Sequence, residues 1–73
     1  MKYKAVKPTM TLDRFKQAPM LVDKDDAGAI LGMRPEAVLR AARSGSIPGV
    51  KVGRAWRFDK RKLAELAGIE EVA

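Results

Sequence analysis

A chain of 73 residues carrying fifteen Lys plus Arg against nine Asp plus Glu, for +6 and a pI near 10.1, reads as one small basic domain. It contains no Cys and no His, which excludes disulfide scaffolds, thiolate or imidazole metal sites and imidazole-based catalysis. No apolar run approaches the roughly 20 residues of a membrane span and nothing resembles a signal peptide, so the expectation is a cytoplasmic module that binds a polyanion, not an enzyme, with no cofactor and no metal.

The charge is unevenly placed. Residues 1–20 hold Lys2, Lys4, Lys7, Arg14 and Lys16 against Asp13 alone. Pro8 and Pro19 punctuate this stretch and no periodic apolar face runs through it, so 1–20 reads as a basic, flexible N-terminal arm, extended or poorly ordered. One short helical turn over 11–17, with Leu12 and Phe15 on one side, is its only candidate element.

The folded part is expected over 21–68. Asp23, followed three residues later by Asp26, has the form of a helix N-cap with acids in the first turn. Ala27, Ile30 and Leu31 then fall at i, i+3 and i+4, and Gly32 closes a helix of about two turns. Gly28 inside it costs roughly 1 kcal/mol relative to Ala; close approach of a neighbouring helix and mere tolerance are equally good accounts.

Pro35 suits the first position of a second helix, where its missing N–H is not needed. This helix runs to about Ser44 and is stopped by Gly45. At 100° per residue, Ala41, Ala42 and Gly45 fall within about 60° of Val38 and form the buried stripe. Glu36, Arg40 and Arg43 fall at about 160°, 200° and 140° from it, on the opposite side. Gly32, Met33 and Arg34 make the short Gly-containing connection between the helices, which is helix-turn-helix spacing.

Beyond Ser46-Ile47-Pro48-Gly49 the period changes from 3.6 to 2. Val50, Val52, Trp56 and Phe58 alternate with Lys51, Arg54 and Arg57, and Gly53 marks the reversal. The pattern predicts a hairpin whose valine and aromatic face covers the core while the other carries the cations. Asp59 then caps a last helix in which Leu63 and Leu66 face inward, Gly68 ends it, and 69–73 is a short tail. Helix, turn, helix, hairpin, helix is a mainly α winged helix-turn-helix.

These residues carry a resemblance. Leu21-Val22, Ala27, Ile30-Leu31-Gly32, Val38-Leu39-Arg40, Gly45-Ser46-Ile47-Pro48-Gly49 and above all Lys51-Val52-Gly53-Arg54-Ala55-Trp56-Arg57-Phe58 resemble the small winged-helix DNA-binding domains of phage and plasmid excisionases, related to the MerR type. Two positions depart from the pattern: Arg34 stands where the family usually places a capping Ser or Thr, and Ala37 where a Thr often follows the proline. The resemblance implies a sequence-specific protein of duplex DNA that assists a phage or mobile-element integrase, with further copies bound along the DNA. A minimal MerR-like transcriptional regulator and a phage DNA-packaging or structural adaptor are the alternatives.

For DNA contact the candidates are Arg34, Glu36, Arg40, Arg43, Lys51, Arg54, Arg57, Lys60 and Arg61. Arg40 and Arg43 lie on the helix face that such folds set in the major groove, where Arg pairs bidentately with guanine; the competing reading is a solvated face with Glu36 paired to Arg40 at i, i+4. Glu36 is read as a charge partner rather than a base reader. Lys51, Arg54 and Arg57 belong to the wing, directed at phosphate or the minor groove, although edge hairpins also use cations to block aggregation. Lys60 and Arg61 sit in a first helical turn, where cations oppose the macrodipole, so they are not expected to stabilise it locally and phosphate contact is an equally good account of them. Trp56 and Phe58 are read as core in preference to stacking platforms for single-stranded bases. The arm lysines serve equally well as a groove-seeking arm or a solubilising tail.

Overall fold

The computed structural model describes residues 9–68 and contains seven elements: α1 (Leu12–Gln17), β1 (Leu21–Val22), α2 (Lys24–Leu31), α3 (Pro35–Arg43), β2 (Val50–Val52), β3 (Ala55–Asp59) and α4 (Lys60–Ala67). The helix ends follow the capping chemistry read above. The Asp23 carboxylate accepts the Asp26 N–H at 2.9 Å and opens α2, and Gly32 closes it in the left-handed conformation. Asp59 accepts the Arg61 N–H at 2.9 Å and opens α4. At α3 the backbone begins at Pro35 and Arg34 makes no capping hydrogen bond with its side chain, so the missing Ser or Thr is not replaced.

The three strands form one antiparallel sheet in the order β1-β3-β2. Leu21 pairs with Asp59 and Val22 with Phe58, which adds to the hairpin a third strand too short to show a period. Phe58, Ile30, Leu31, Leu63, Val22 and Val38 are the largest fully buried side chains, and among the described residues no polar or charged side chain is buried. Gly28 is a close approach, but not of a neighbouring helix: a Cβ there would overlap the Met33 carbonyl oxygen in the turn between α2 and α3.

The faces of the hairpin differ from expectation. Val50 pairs with Arg57, Lys51 with Trp56 and Val52 with Ala55, and directly opposed residues share a face. Lys51 therefore lies on the side of Trp56 and the buried Phe58. Val50 and Val52 lie on the other side with Arg57, and are 59% and 58% exposed. The buried Phe58 in the central strand sets the register, and the valines of the edge strand follow it outward. Smaller corrections have the same cause, burial deciding over pattern: Gly45 is exposed at the end of α3, and in α4 Leu63 and Ala64 are buried while Leu66 is exposed.

The largest correction concerns the segment read as an extended arm. Over 9–20 it is built into the domain. Thr11 caps α1 by accepting the Arg14 N–H, and Phe15 is 4% exposed within the core cluster. Arg14 pairs with Asp26 of α2 at 3.2 Å. Lys60 holds the other end: its Nζ donates to the carbonyls of Ala18 at 2.7 Å, Phe15 at 2.8 Å and Lys16 at 3.3 Å, and lies 4.9 Å from the Phe15 ring centroid. A cation on the last carbonyls of a helix is favourable for its dipole and its hydrogen bonding. Lys2, Lys4 and Lys7, and the tail read over 69–73, lie outside the described residues.

Lys60→Met keeps most of the aliphatic stem and removes the charge that meets these carbonyls. It should cost about 1–2 kcal/mol, seen as a lower thermal midpoint in circular dichroism, with duplex affinity unchanged at a temperature where the variant is folded. A loss of affinity without a loss of stability would return Lys60 to the set of phosphate contacts.

Candidate nucleic-acid interface

Two surfaces meet around one groove of about 280 Å³. The first is α3, amphipathic because its small apolar residues turn inward, with Val38 and Ala42 buried and Glu36, Arg40 and Arg43 exposed on the far side. The second is the hairpin, reversed by Gly53 and Arg54. Gly53 has φ +63° and Arg54 does not have a positive φ, the pattern of a type II′ turn, whose twist suits a two-residue hairpin. The space a Cβ at Gly53 would enter is open, so it is the backbone conformation that calls for glycine here.

Leu39 and Trp56 contribute the apolar part of the groove, and Arg43, Lys51, Arg54 and Arg57 bring four of the expected cations to its lining. Lys24 joins them from the start of α2, with Asp23 the one acid. Lys24 escaped the sequence reading. The signal for it is the pairing of β1 with β3, which sets the start of α2 beside Trp56 and Arg57. Its own ion pair, to Asp25 at 4.0 Å with both side chains well exposed, holds it only weakly. Trp56 is half-buried and stacked on Phe58, ring centroids 6.3 Å apart at 20°. It is thus part of the core and of the groove wall at once.

The remaining candidates are distributed as follows. Arg40 and Glu36 lie on the exposed face of α3 outside the groove lining; among the described residues the ion pairs are Arg14–Asp26 and Lys24–Asp25, so the i, i+4 pair of Glu36 with Arg40 does not form. Arg34 lies at the other end of α3, in a separate shallow recess with Thr9, Asp25 and Met33. Arg57 is half-buried, its Nη1 donating to the Trp56 carbonyl at 3.0 Å, so part of its capacity is spent within the strand. Arg61 is exposed on α4 away from the groove lining, and Lys60 is turned to α1.

A family model described as a helix-turn-helix domain matches residues 21–67. The chain belongs to this helix-turn-helix family. Its members are small excisionase-like, MerR-related DNA-binding domains. The match runs from β1 to the last residue of α4 and so takes in the turn between α2 and α3 and the whole sheet, the mainly helical winged architecture expected of the family. Helix-turn-helix membership supports DNA binding with double-stranded DNA as the partner. Comparison with curated proteins gives no significant match, and neither does comparison with solved structures. Among the described residues no helix is long and apolar enough to cross a membrane.

Proposed function

We propose that this helix-turn-helix domain is a sequence-specific binder of duplex DNA that acts as an excisionase-like recombination directionality factor beside a phage or mobile-element integrase. The observation that supports this reading is the shared groove: Arg43 near the end of α3 and Lys51, Arg54 and Arg57 of the hairpin line it together with Lys24, five cations against Asp23, while Arg40 lies beside it on the exposed face of α3. In this reading α3 enters the major groove and Arg40 and Arg43 reach base edges, where an arginine fork matches guanine O6 and N7. Glu36, beside them, keeps the helix face from binding phosphate indiscriminately. Arg54 at the hairpin tip, with Lys51 and Arg57 behind it, meets phosphate and the minor groove. Arg34 at the start of α3 and Arg61 on α4, both outside the groove lining, are outlying phosphate contacts in this reading.

The role in excision rests on the family's excisionase-like character and is tested by where the protein binds. Footprinting on the DNA that flanks the gene should show repeated sites near an attachment site, as a factor that assembles several copies beside an integrase requires. A single operator within a promoter would instead establish the regulator. Binding itself should be strongly salt-dependent: with five or six phosphate contacts, log K should fall against log salt with a slope near −5, roughly −0.9 per phosphate. A slope near zero would overturn the DNA reading altogether.

A further inference from the structure

Leu39 is the groove residue that the interface described so far leaves without a task. It is half-buried, yet it belongs neither to the core cluster nor to the half-buried apolar side chains packed against that cluster, among which are Ala41 of the same helix and Trp56 of β3. It lies instead in the lining of the groove, with Trp56 and the cations Arg43, Lys51, Arg54 and Arg57. The helical period explains its place. At 100° per residue Leu39 stands about 100° from the buried Val38, with Ala42 at about 40° on its inner side and Arg43 and Glu36 at about 140° and 160° on its outer side. It marks the border between the stripe that packs and the face assigned to DNA. Arg43, four residues on and so its neighbour along the helix surface, lines the same groove.

From this position we infer that Leu39 is a specificity-determining residue, setting its methyl groups against the C5-methyl of a thymine beside the base pair that Arg43 meets. The inference rests on the DNA reading above and adds a base preference to it. Two arguments support it. The first is chemical. An apolar surface is a poor seat for a phosphate, which would give up water there without gaining a donor; the cations around Leu39 are the donors that phosphate needs. Among the groups by which the four bases differ in the major groove, the thymine methyl is the apolar one. An arginine fork selects guanine by hydrogen bonds, and a leucine beside it can select thymine by contact alone.

The second argument is the surroundings. Five cations against Asp23 line the groove that holds Leu39, so an apolar protein segment seated on it would bury charges without partners, at a cost that a polyanion avoids. Trp56 forms the opposite part of the apolar lining and is fixed from behind by its stacking on Phe58, ring centroids 6.3 Å apart. Close behind both rings runs Gly49, where a Cβ would come within 2.8 Å of Phe58 and 3.1 Å of Trp56. The wall facing Leu39 is therefore held in place, and the space between them is shaped before any ligand arrives.

The test is a thymine scan of the footprinted duplex. Each thymine is replaced in turn by deoxyuridine, which removes the C5-methyl and keeps the base pair, and affinity is measured for the full chain and for its Leu39→Ala variant. At one or two positions the replacement should weaken the unaltered protein about three- to fourfold, the worth of one buried methyl. Leu39→Ala should bind the thymine duplex at least that much more weakly and should no longer distinguish thymine from deoxyuridine there. Its preferences elsewhere and its salt slope should not change, and its thermal midpoint should stay above the temperature of the titrations. Trp56 is the single tryptophan of the chain, so its emission should change on binding and report that the groove is occupied. Indifference of the unaltered protein to deoxyuridine at every position overturns the inference, whatever the variant does. So does a sensitivity that survives at full size in Leu39→Ala, since Leu39 is then only a prop for the hairpin, and so does binding that leaves the Trp56 emission unmoved. If the unaltered protein binds no duplex, the DNA reading fails and takes this inference with it; binding with the expected salt slope but without a response to deoxyuridine removes only the role of Leu39.

Discussion

Phe58→Ala should leave the domain largely unfolded at 25 °C. The ring is fully buried in the central strand, opposite Val22 of β1 and stacked on Trp56. Removing a buried Phe costs roughly 3–5 kcal/mol, from lost transfer energy and the cavity left behind. A domain of this size has a total stability on the order of 5 kcal/mol, so the loss consumes most of it. Far-ultraviolet circular dichroism with urea titration is the measurement, and a cooperative transition with a near-native midpoint would show that the core tolerates the void. Trp56→Ala should cost less, because one side of that ring already faces the groove. It should weaken DNA binding as well as stability, which a purely internal residue does only through unfolding.

The two arginine sets should fail in different ways. Arg40→Ala should lose roughly 5- to 160-fold on the preferred duplex, equivalent to about 1–3 kcal/mol for a bidentate base contact, and should flatten the preference at one or two positions. Arg54→Ala should weaken preferred and scrambled duplexes about equally and reduce the salt slope by about one. Both side chains are exposed, so both variants should melt like the parent, and a change in affinity reports contact rather than folding. Each variant is titrated on both duplexes at three salt concentrations. If Arg40→Ala loses affinity uniformly while Arg54→Ala alters base preference, the hairpin reads the sequence and α3 is a backbone anchor.

What was legible in the sequence was what local chemistry decides. Asp23, Pro35 and Asp59 mark helix starts whose causes lie within three residues, and Gly32 and Gly68 mark the stops. The polar face of α3 also follows from its own spacing, which is why Glu36, Arg40 and Arg43 are all exposed as expected. The misreadings share a different origin, in contacts between distant parts of the chain. Val50 and Val52 alternate as a core strand would, but β2 is an edge strand and its facing is dictated by Phe58 across the ladder. Phe15 sits in a helix of six residues, too short to show a period, and its burial depends on elements far along the chain. Lys60 has the charge and the neighbours of a phosphate ligand, and only the position of α1, some 42–45 residues earlier in sequence, assigns it to carbonyls instead.

The absence of buried polar or charged side chains among the described residues has a practical consequence for thermodynamic measurement. Ionic strength acts on solvent-facing charges and is nearly without effect on apolar packing at moderate concentrations. Shape and attraction are therefore governed largely by separate sets of atoms: Phe58, Ile30, Leu31 and Leu63 keep the scaffold, with Lys60 and the Arg14–Asp26 pair as its charged part, while the remaining exposed cations provide the pull on a polyanion. Adding salt should dial the second far more than the first. Binding isotherms collected across a salt series then compare nearly one conformation with itself, and a thermal midpoint taken at each salt concentration checks the part of the fold that Lys60 and the Arg14–Asp26 pair hold.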